Sequence, residues 1–322
     1  MIPAARWARH GLSAEDEAGL APGEAPRDPE ELEARAVATS LEISGLTTLG
    51  AVHLTVSDLE RSLDYYTRSI GLVLREHGGG QASLGTDTRD LLVLVEERGA
   101  RPSGGHCGLY HFALLVPQRS DLASWLAHAS EEQVRFVGAA DHFVSEALYL
   151  SDPDRHGIEI YWDRPRQFWE GQVASKMTSL PLDMTGLLGE LEGSPSEAFG
   201  TLPPGTVMGH VHLKVAAIPE TIAFYRDGLG MGLMAQLSGQ AAFLSAGGYH
   251  HHIGTNTWES SGATPAPIGT ARLKGATILL PDSAERGRLI DRLRRGGYTP
   301  DESGASPTVR DPSGNTLLLA VP

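Results

Sequence analysis

The sequence predicts an α+β protein made of four βαβββ units that are paired into two cupped-sheet domains. A β-rich run, TLGAVHLTV, is followed by an amphipathic helix and by further short strands, and this order recurs along the chain. The segment GAVHLTVSDLERSLDYYTRSIGL aligns with GHVHLKVAAIPETIAFYRDGLGM, which places His53 on His212 with an offset of 159 residues. Asp152 and Asp311 align with the same offset, so the two halves are repeats of each other.

Length and composition limit the class of protein. The chain has 322 residues, which is enough for two domains, and its formal net charge of −14 argues against a nucleic acid or an anionic membrane as the main partner. Its single cysteine, Cys107, cannot form an internal disulfide. We find neither a secretory signal nor an apolar run long enough to span a bilayer. These features predict a cytoplasmic protein.

The boundaries of the predicted parts follow from changes in composition. Residues 1–44 are rich in proline, alanine and acidic residues, and they predict a mobile N-terminal arm. The N-terminal domain is expected over 45–165, a linker over 166–204, and the C-terminal domain over 205–322.

Each unit begins with a strand followed by a helix. In the first unit, Ser57 or Asp58 can cap a helix with a regular apolar stripe, and Gly71 ends it. In the second unit, Gly108–Pro117 reads as a strand and Arg119–Ala129 as a helix. Short strands follow up to the segment EALYLSDPDRHGIEIYWD.

The two halves differ in their polar residues at equivalent positions. The N-terminal half has His53, His111 and Glu159. The C-terminal half has His212, Gly275 and Leu318 at the matching positions. The repeat thus acts as an internal control, and only the N-terminal half offers two imidazoles and a carboxylate.

Strand alternation indicates where these three side chains point. His53, His111 and Glu159 each lie opposite the apolar neighbours on their strands, so we expect them on the concave face of the sheet. A buried carboxylate without a partner is costly, and a divalent metal would remove that cost. Two histidines and one carboxylate leave open coordination positions that suit Fe(II) or Mn(II). Zinc or nickel enzymes can use similar ligands, so the ligand types alone do not fix the reaction.

The motifs HLTVSDLERSLDYYTRSIGL and YLSDPDRHGIEIY resemble those of the vicinal oxygen chelate superfamily, which includes glyoxalases, bleomycin resistance proteins and extradiol dioxygenases. The resemblance covers about residues 46–322 and is strongest to dioxygenases of the catechol 2,3-dioxygenase type. It implies metal ligands on the first strands of two units and on a last strand, where His53, His111 and Glu159 stand. In the best-known extradiol enzymes the metal lies in the C-terminal half, whereas here these residues predict an N-terminal site.

The resemblance also implies a reaction and two further site residues. The family places a tyrosine ten residues before the metal-binding glutamate, which is Tyr149 here, and a histidine shortly before it, for which His142 is the candidate. The implied activity is extradiol cleavage of a catechol by O₂ at Fe(II) or Mn(II), as in the catabolism of aromatic compounds. His142 would be the acid/base, and Tyr149 would bind the substrate oxygen. A homo-oligomer is expected, with no nucleic-acid or membrane partner.

Two other functions remain open at this stage. One is another metal-dependent reaction on the same fold, such as that of a glyoxalase-like lyase or isomerase, and the other is the binding of a small aromatic ligand. The C-terminal half also has a group of histidines, for which we expect buried polar contacts or a wall of the first site. These are His210, His212, His250, His251 and His252.

Overall fold

The computed structural model describes residues 43–192 and 199–322. Nearly all of the predicted N-terminal arm (1–44) lies outside the described residues. Within the described ranges, no helix is both long and apolar enough to cross a membrane.

The fold class is confirmed: the chain is α+β, with repeated strand–helix–strand units and two large curled sheets. The first unit contains β1 (Thr48–Val56), α1 (Leu59–Asp64, continued by a π-helical turn at Tyr65–Ile70), β2 (Val73–Gly78), β3 (Gln81–Thr86) and β4 (Arg89–Glu96). After β5 (Arg101–Pro102), the second unit contains β6 (Gly108–Leu115), α2 (Arg119–Glu131), β7 (Phe136–Asp141), β8 (Ser145–Ser151) and β9 (Gly157–Asp163).

The linker and the second half follow the same plan. The linker has two short helices, α3 (Val173–Lys176) and α4 (Met184–Leu188). The third unit contains β10 (Val207–Lys214), α5 (Ile218–Ile222, continued by a π-helical turn at Ala223–Gly228), β11 (Gly232–Leu237), β12 (Ala241–Ser245) and β13 (Ile253–Asn256). After β14 (Thr270–Ala271), the fourth unit contains β15 (Leu273–Leu279), α6 (Ser283–Arg295), β16 (Thr308–Arg310) and β17 (Thr316–Ala320), one strand fewer than predicted.

The units do not pair in the order that the sequence analysis expects. One sheet has the order β16-β17-β15-β1-β4-β3-β2 and joins the first unit to the fourth. The other has the order β11-β12-β13-β10-β6-β9-β8-β7 and joins the third unit to the second. The expected domains 45–165 and 205–322 are therefore sequence repeats whose strands are shared between two sheets. An offset of 159 residues is the same under either pairing, so the repeat could not reveal which units share a sheet.

The apolar faces of both sheets and the helices form one continuous core. Leu54 of β1, Phe112 of β6 and Val211 of β10 are all fully buried in it. Burial of this apolar surface is the main favourable contribution to the free energy of folding. The opposite face of the second sheet remains free to carry polar side chains, and these form the site.

A pair of buried tyrosine–aspartate contacts confirms the repeat in three dimensions. The Tyr66 hydroxyl donates to Asp152 at 2.9 Å, and the Tyr225 hydroxyl donates to Asp311 at 3.2 Å. Burial raises the pKa of both carboxyls, although each also accepts backbone N–H groups of its turn. Each aspartate thus anchors the helix of one unit to the final turn of the next.

Candidate metal centre and cavity

Three neighbouring strands of the second sheet bring His111, Glu159 and His210 together. The strand order is β10-β6-β9, and Ala113 of β6 pairs with His210 on one side and with Glu159 on the other. The methyl group of Ala113 is small enough to leave space between these two side chains. His111 lies two residues from Ala113 on the same face of β6, so all three polar groups point to one side of the sheet.

The three side chains converge on one point. The Oε2 atom of Glu159 lies 2.9 Å from Nε2 of His210 and 3.1 Å from Nε2 of His111, and the two Nε2 atoms are 3.3 Å apart. All three residues are buried. Among the described residues, this is the one group of three or more histidine, cysteine or acidic side chains that could hold a metal ion.

The electrostatics of the cluster favour an ionised Glu159 beside a neutral His210. Burial alone would raise the pKa of Glu159, but His210 and His111 outweigh burial and hold it well below its ordinary value. Burial lowers the pKa of His210 despite the nearby carboxylate. The cluster therefore offers one anionic carboxylate and two imidazole rings, a donor set that fits a divalent transition metal.

The Nδ1 atoms of both histidines support the same interpretation. These two atoms are buried and have no hydrogen-bond partner among the described residues. Oε2 of Glu159 only accepts, so in the metal-free cluster the ring proton of neutral His210 lies on Nε2. A metal ion bound at both Nε2 atoms would fix both tautomers, because a coordinating imidazole nitrogen is unprotonated.

The cluster faces a partly open cavity. The apolar part of its wall comes from Val144, Met177 and Phe243. Met177 belongs to the linker segment that packs, through Trp169 and Val173, against the second sheet. This segment closes one side of the cavity.

His142 and Tyr149 form a hydrogen-bonded pair on the cavity wall. Nε2 of His142 lies 2.7 Å from the Tyr149 hydroxyl, and Nδ1 lies 2.7 Å from the carbonyl oxygen of Thr178. A carbonyl oxygen only accepts, so Nδ1 of His142 must carry a proton and donate it. In the neutral ring, Nε2 then accepts from Tyr149, and the linker carbonyl thereby sets the tautomer.

The structure brings together four of the five residues that the sequence singles out. His111 and Glu159 belong to the cluster, and His142 and Tyr149 line the same cavity.

The placement of His53 in this group is wrong. His53 lies on β1 of the other sheet, paired with Gly275 and Val93, and its Nε2 lies 3.4 Å from the Thr277 hydroxyl. Because β1 pairs with β15 rather than with β6, the third position of the cluster goes to a residue of β10, His210.

The sequence contains a pattern that could have indicated His210. The run GHVHLKV places His210 and His212 on one face of a strand, and the repeat alignment drew attention to His212 because it matches His53. The structure places His212 on the cavity wall, with Nε2 receiving a hydrogen bond from the Asn256 amide at 2.9 Å. The sequence analysis assigns the third ligand to His53 and expects His210 and His212 only as buried polar contacts or as a wall of the site, so it places no metal ligand on this strand.

His251 is one of the histidines for which the sequence analysis expects buried polar contacts or a wall of the site. It lines the cavity, and its ring lies 4.2 Å from the ring of His210. His250, His251 and His252 lie in the connection between β12 and β13, not on a strand. Burial lowers the pKa of His251 well below its ordinary value, so this imidazole is neutral at neutral pH.

A family model matches both repeats. The Glyoxalase/Bleomycin resistance protein/Dioxygenase superfamily model matches residues 48–160 and 207–319. The chain belongs to this superfamily. A protein of Bacillus subtilis (strain 168) with the name catechol-2,3-dioxygenase is 40% identical over 281 residues, which are 85% of this chain and 97% of that protein.

Solved structures support the fold. A putative dioxygenase from Bacillus subtilis subsp. subtilis str. 168 has a TM-score of 0.57 at 16% identity and covers 85% of each chain. Glyoxalase I from Zea mays has a TM-score of 0.52 at 16% identity over 85% of this chain and 92% of its own. Since this superfamily includes several reactions, the fold alone does not select one.

Proposed function

We propose that this chain is an extradiol dioxygenase, which inserts both atoms of O₂ into a ring bond of a catechol. The observation that carries the proposal is the convergence of His111, Glu159 and His210 in a cavity that also contains the His142–Tyr149 pair. The 40% identity to a protein named catechol-2,3-dioxygenase supports the same reaction.

The cluster would hold Fe(II) or Mn(II), because two imidazoles and one carboxylate leave positions for substrate and O₂. When bound, such an ion supplies the O₂ chemistry and a chelation point for the two catechol oxygens. Glu159 contributes one negative charge, so the centre keeps a net positive charge that favours a catecholate. His111 and His210 contribute no charge and fix the geometry.

The remaining steps fall to side chains of the cavity wall. Nε2 of His142 is the unprotonated nitrogen of its ring, so it can accept a proton from a catechol hydroxyl, directly or through the Tyr149 hydroxyl. The same imidazole can return that proton later in the reaction. Tyr149 would hydrogen-bond the substrate oxygen that faces it.

The apolar wall would hold the ring and exclude water. Val144, Met177 and Phe243 provide this surface, and the described residues that line the cavity include no lysine or arginine. A substrate carboxylate would therefore be buried without a cationic partner, at a cost of several kcal/mol. This environment favours catechols with uncharged substituents.

The test is O₂ consumption with catechol after anaerobic loading with Fe(II), while the yellow ring-opened product is monitored. We expect one O₂ consumed per product formed, and no turnover by Glu159→Ala, which removes the anionic ligand. A filled metal site without O₂ uptake would instead indicate another metal-dependent reaction of the fold. Catechol binding by a protein that refuses metal would indicate a binding protein.

The proposal includes a homo-oligomer in the cytoplasm. Light scattering of the purified protein and cell fractionation test these two parts independently of the reaction.

A further inference from the structure

A continuous chain of hydrogen bonds runs from Asp163, at the end of β9, to the cavity. Oδ1 of Asp163 lies 2.8 Å from Nε2 of His250, and Nδ1 of His250 lies 2.9 Å from Nδ1 of His251. Both histidines are buried, and His251 lines the cavity. The strand that carries Glu159 therefore also carries the carboxylate from which this chain starts.

The donor and acceptor roles along this chain are fixed once each of the two rings carries a single proton. A carboxylate only accepts, so Nε2 of His250 then donates to Asp163, and its Nδ1 is left as an acceptor. Nδ1 of His251 must then donate to it. Nε2 of the His251 ring is then left with a lone pair, and His251 lines the cavity.

The carboxylate is itself held in place. The Tyr249 hydroxyl donates to Oδ2 of Asp163 at 2.6 Å, and the Tyr161 hydroxyl lies 2.8 Å from that of Tyr249. Because the Tyr249 proton is already given to Asp163, Tyr161 donates to Tyr249. Arg166 donates to the carbonyl oxygen of Gly248 and to that of its neighbour, which fixes the start of the histidine segment.

This arrangement is specific to the unit that faces the cavity. The connection between β12 and β13 spans 246–252 and contains the three consecutive histidines. The equivalent connection between β3 and β4 in the first unit spans only 87–88. The extra residues place His250 and His251 between Asp163 and the cavity.

We propose that Asp163 and His250 are positioning residues that hold His251 in the Nδ1-protonated tautomer, so that it presents a hydrogen-bond acceptor to the substrate. The acceptor matches a catechol hydroxyl, and this consequence rests on the proposed function. The tautomer itself does not depend on the reaction or on a bound metal.

The first test is the ¹⁵N NMR spectrum of the histidine rings in the metal-free protein. The signals of His251 are assigned by their loss in His251→Gln. We expect a protonated Nδ1 and an unprotonated Nε2 on His251 in the wild type. A His251 ring protonated at Nε2 instead would overturn the proposal, whatever the activity of the enzyme.

The second test is Asp163→Asn, which keeps the shape of the side chain but can donate to His250. With the asparagine oxygen accepting from the Tyr249 hydroxyl, the amide nitrogen faces His250 and donates to its Nε2, so Nε2 of His251 becomes the protonated atom. Asp183→Asn is the matched control, because it makes the same change at an exposed carboxylate that caps α4. Asparagine is an equally good cap, so we expect this control to behave as the wild type.

With Fe(II) and catechol, Asp163→Asn should lower kcat by about 10²–10⁴-fold at unchanged metal content, the range for a misdirected acid/base group. A reversed tautomer with unchanged kcat would overturn the role in positioning. If neither protein turns over catechol, while the wild-type spectrum is as expected, the proposed function fails and the tautomer assignment is supported.

Discussion

The replacement of His210 by alanine tests the composition of the metal centre. In the wild type, Glu159 Oε2 lies 2.9 Å from His210 and 3.1 Å from His111, so the variant leaves two donors of three. Loss of a residue that only supports a ligand lowers metal affinity by about 10–100-fold. Loss of a ligand should cost more than about 100-fold, which is about 2.7 kcal/mol at 1.36 kcal/mol per factor of ten.

The assay is isothermal titration calorimetry with Mn(II), which is stable in air and gives the equilibrium affinity of each protein for the metal. His53→Ala is the matched control, because His53 lies in the other sheet and should not alter the affinity. Circular dichroism of both variants checks that they are folded. The reasoning is refuted if His210→Ala binds Mn(II) as the wild type does, and still more clearly if His53→Ala loses it.

Three other predictions concern activity, pH and packing. Replacement of His142 by alanine should lower turnover of catechol by about 10²–10⁴-fold with metal content unchanged, and unaltered turnover would remove it from the reaction. Burial, followed by the nearby rings of His250 and His210, lowers the pKa of His252 to about 3. The neutral ring of His252 therefore contributes fully to the free energy of unfolding above pH 6.5, and this contribution is lost as the pH falls from 6.5 toward 3. Urea unfolding of the metal-free protein should thus show a loss between pH 6.5 and 5.5 that is smaller by about 1 kcal/mol in His252→Gln, and an equal loss would contradict the assignment. A Cβ at Gly209 would lie 1.8 Å from the Tyr161 hydroxyl oxygen, so Gly209→Ala should lower the free energy of unfolding by about 1–3 kcal/mol. Gly78→Ala is the control, because a Cβ there meets open space, and it should change this free energy by less than about 1 kcal/mol.

The sequence predicts the local elements of this fold well because they depend on short-range patterns. Asp58 caps α1 through its side chain, and Gly71 follows the π-helical turn with a φ of +86°, as the motif indicates. The alternation of polar and apolar residues also places His111 and Glu159 correctly on one face.

The pairing of the units could not be predicted from the sequence. Whether β1 pairs with β6 or with β15 depends on contacts between residues more than 200 positions apart, and the repeat offset is identical in both cases. That choice decides whether His53 or His210 completes the cluster. The histidines of the run 250–252 were expected as buried polar contacts or as a wall of the site, and His251 lines the cavity. Their place in the connection between β12 and β13 could not be predicted from strand periodicity.

The central claim is that one metal ion binds at the junction of the second and third units. Anomalous X-ray diffraction at the iron edge, from crystals loaded with Fe(II) without oxygen, tests it most directly. We predict a single strong peak within about 2.0–2.2 Å of Nε2 of His111, Nε2 of His210 and a carboxylate oxygen of Glu159, as for metal bonds of these ligand types. A peak beside His53, or no peak at the cluster in fully loaded crystals, would contradict the account.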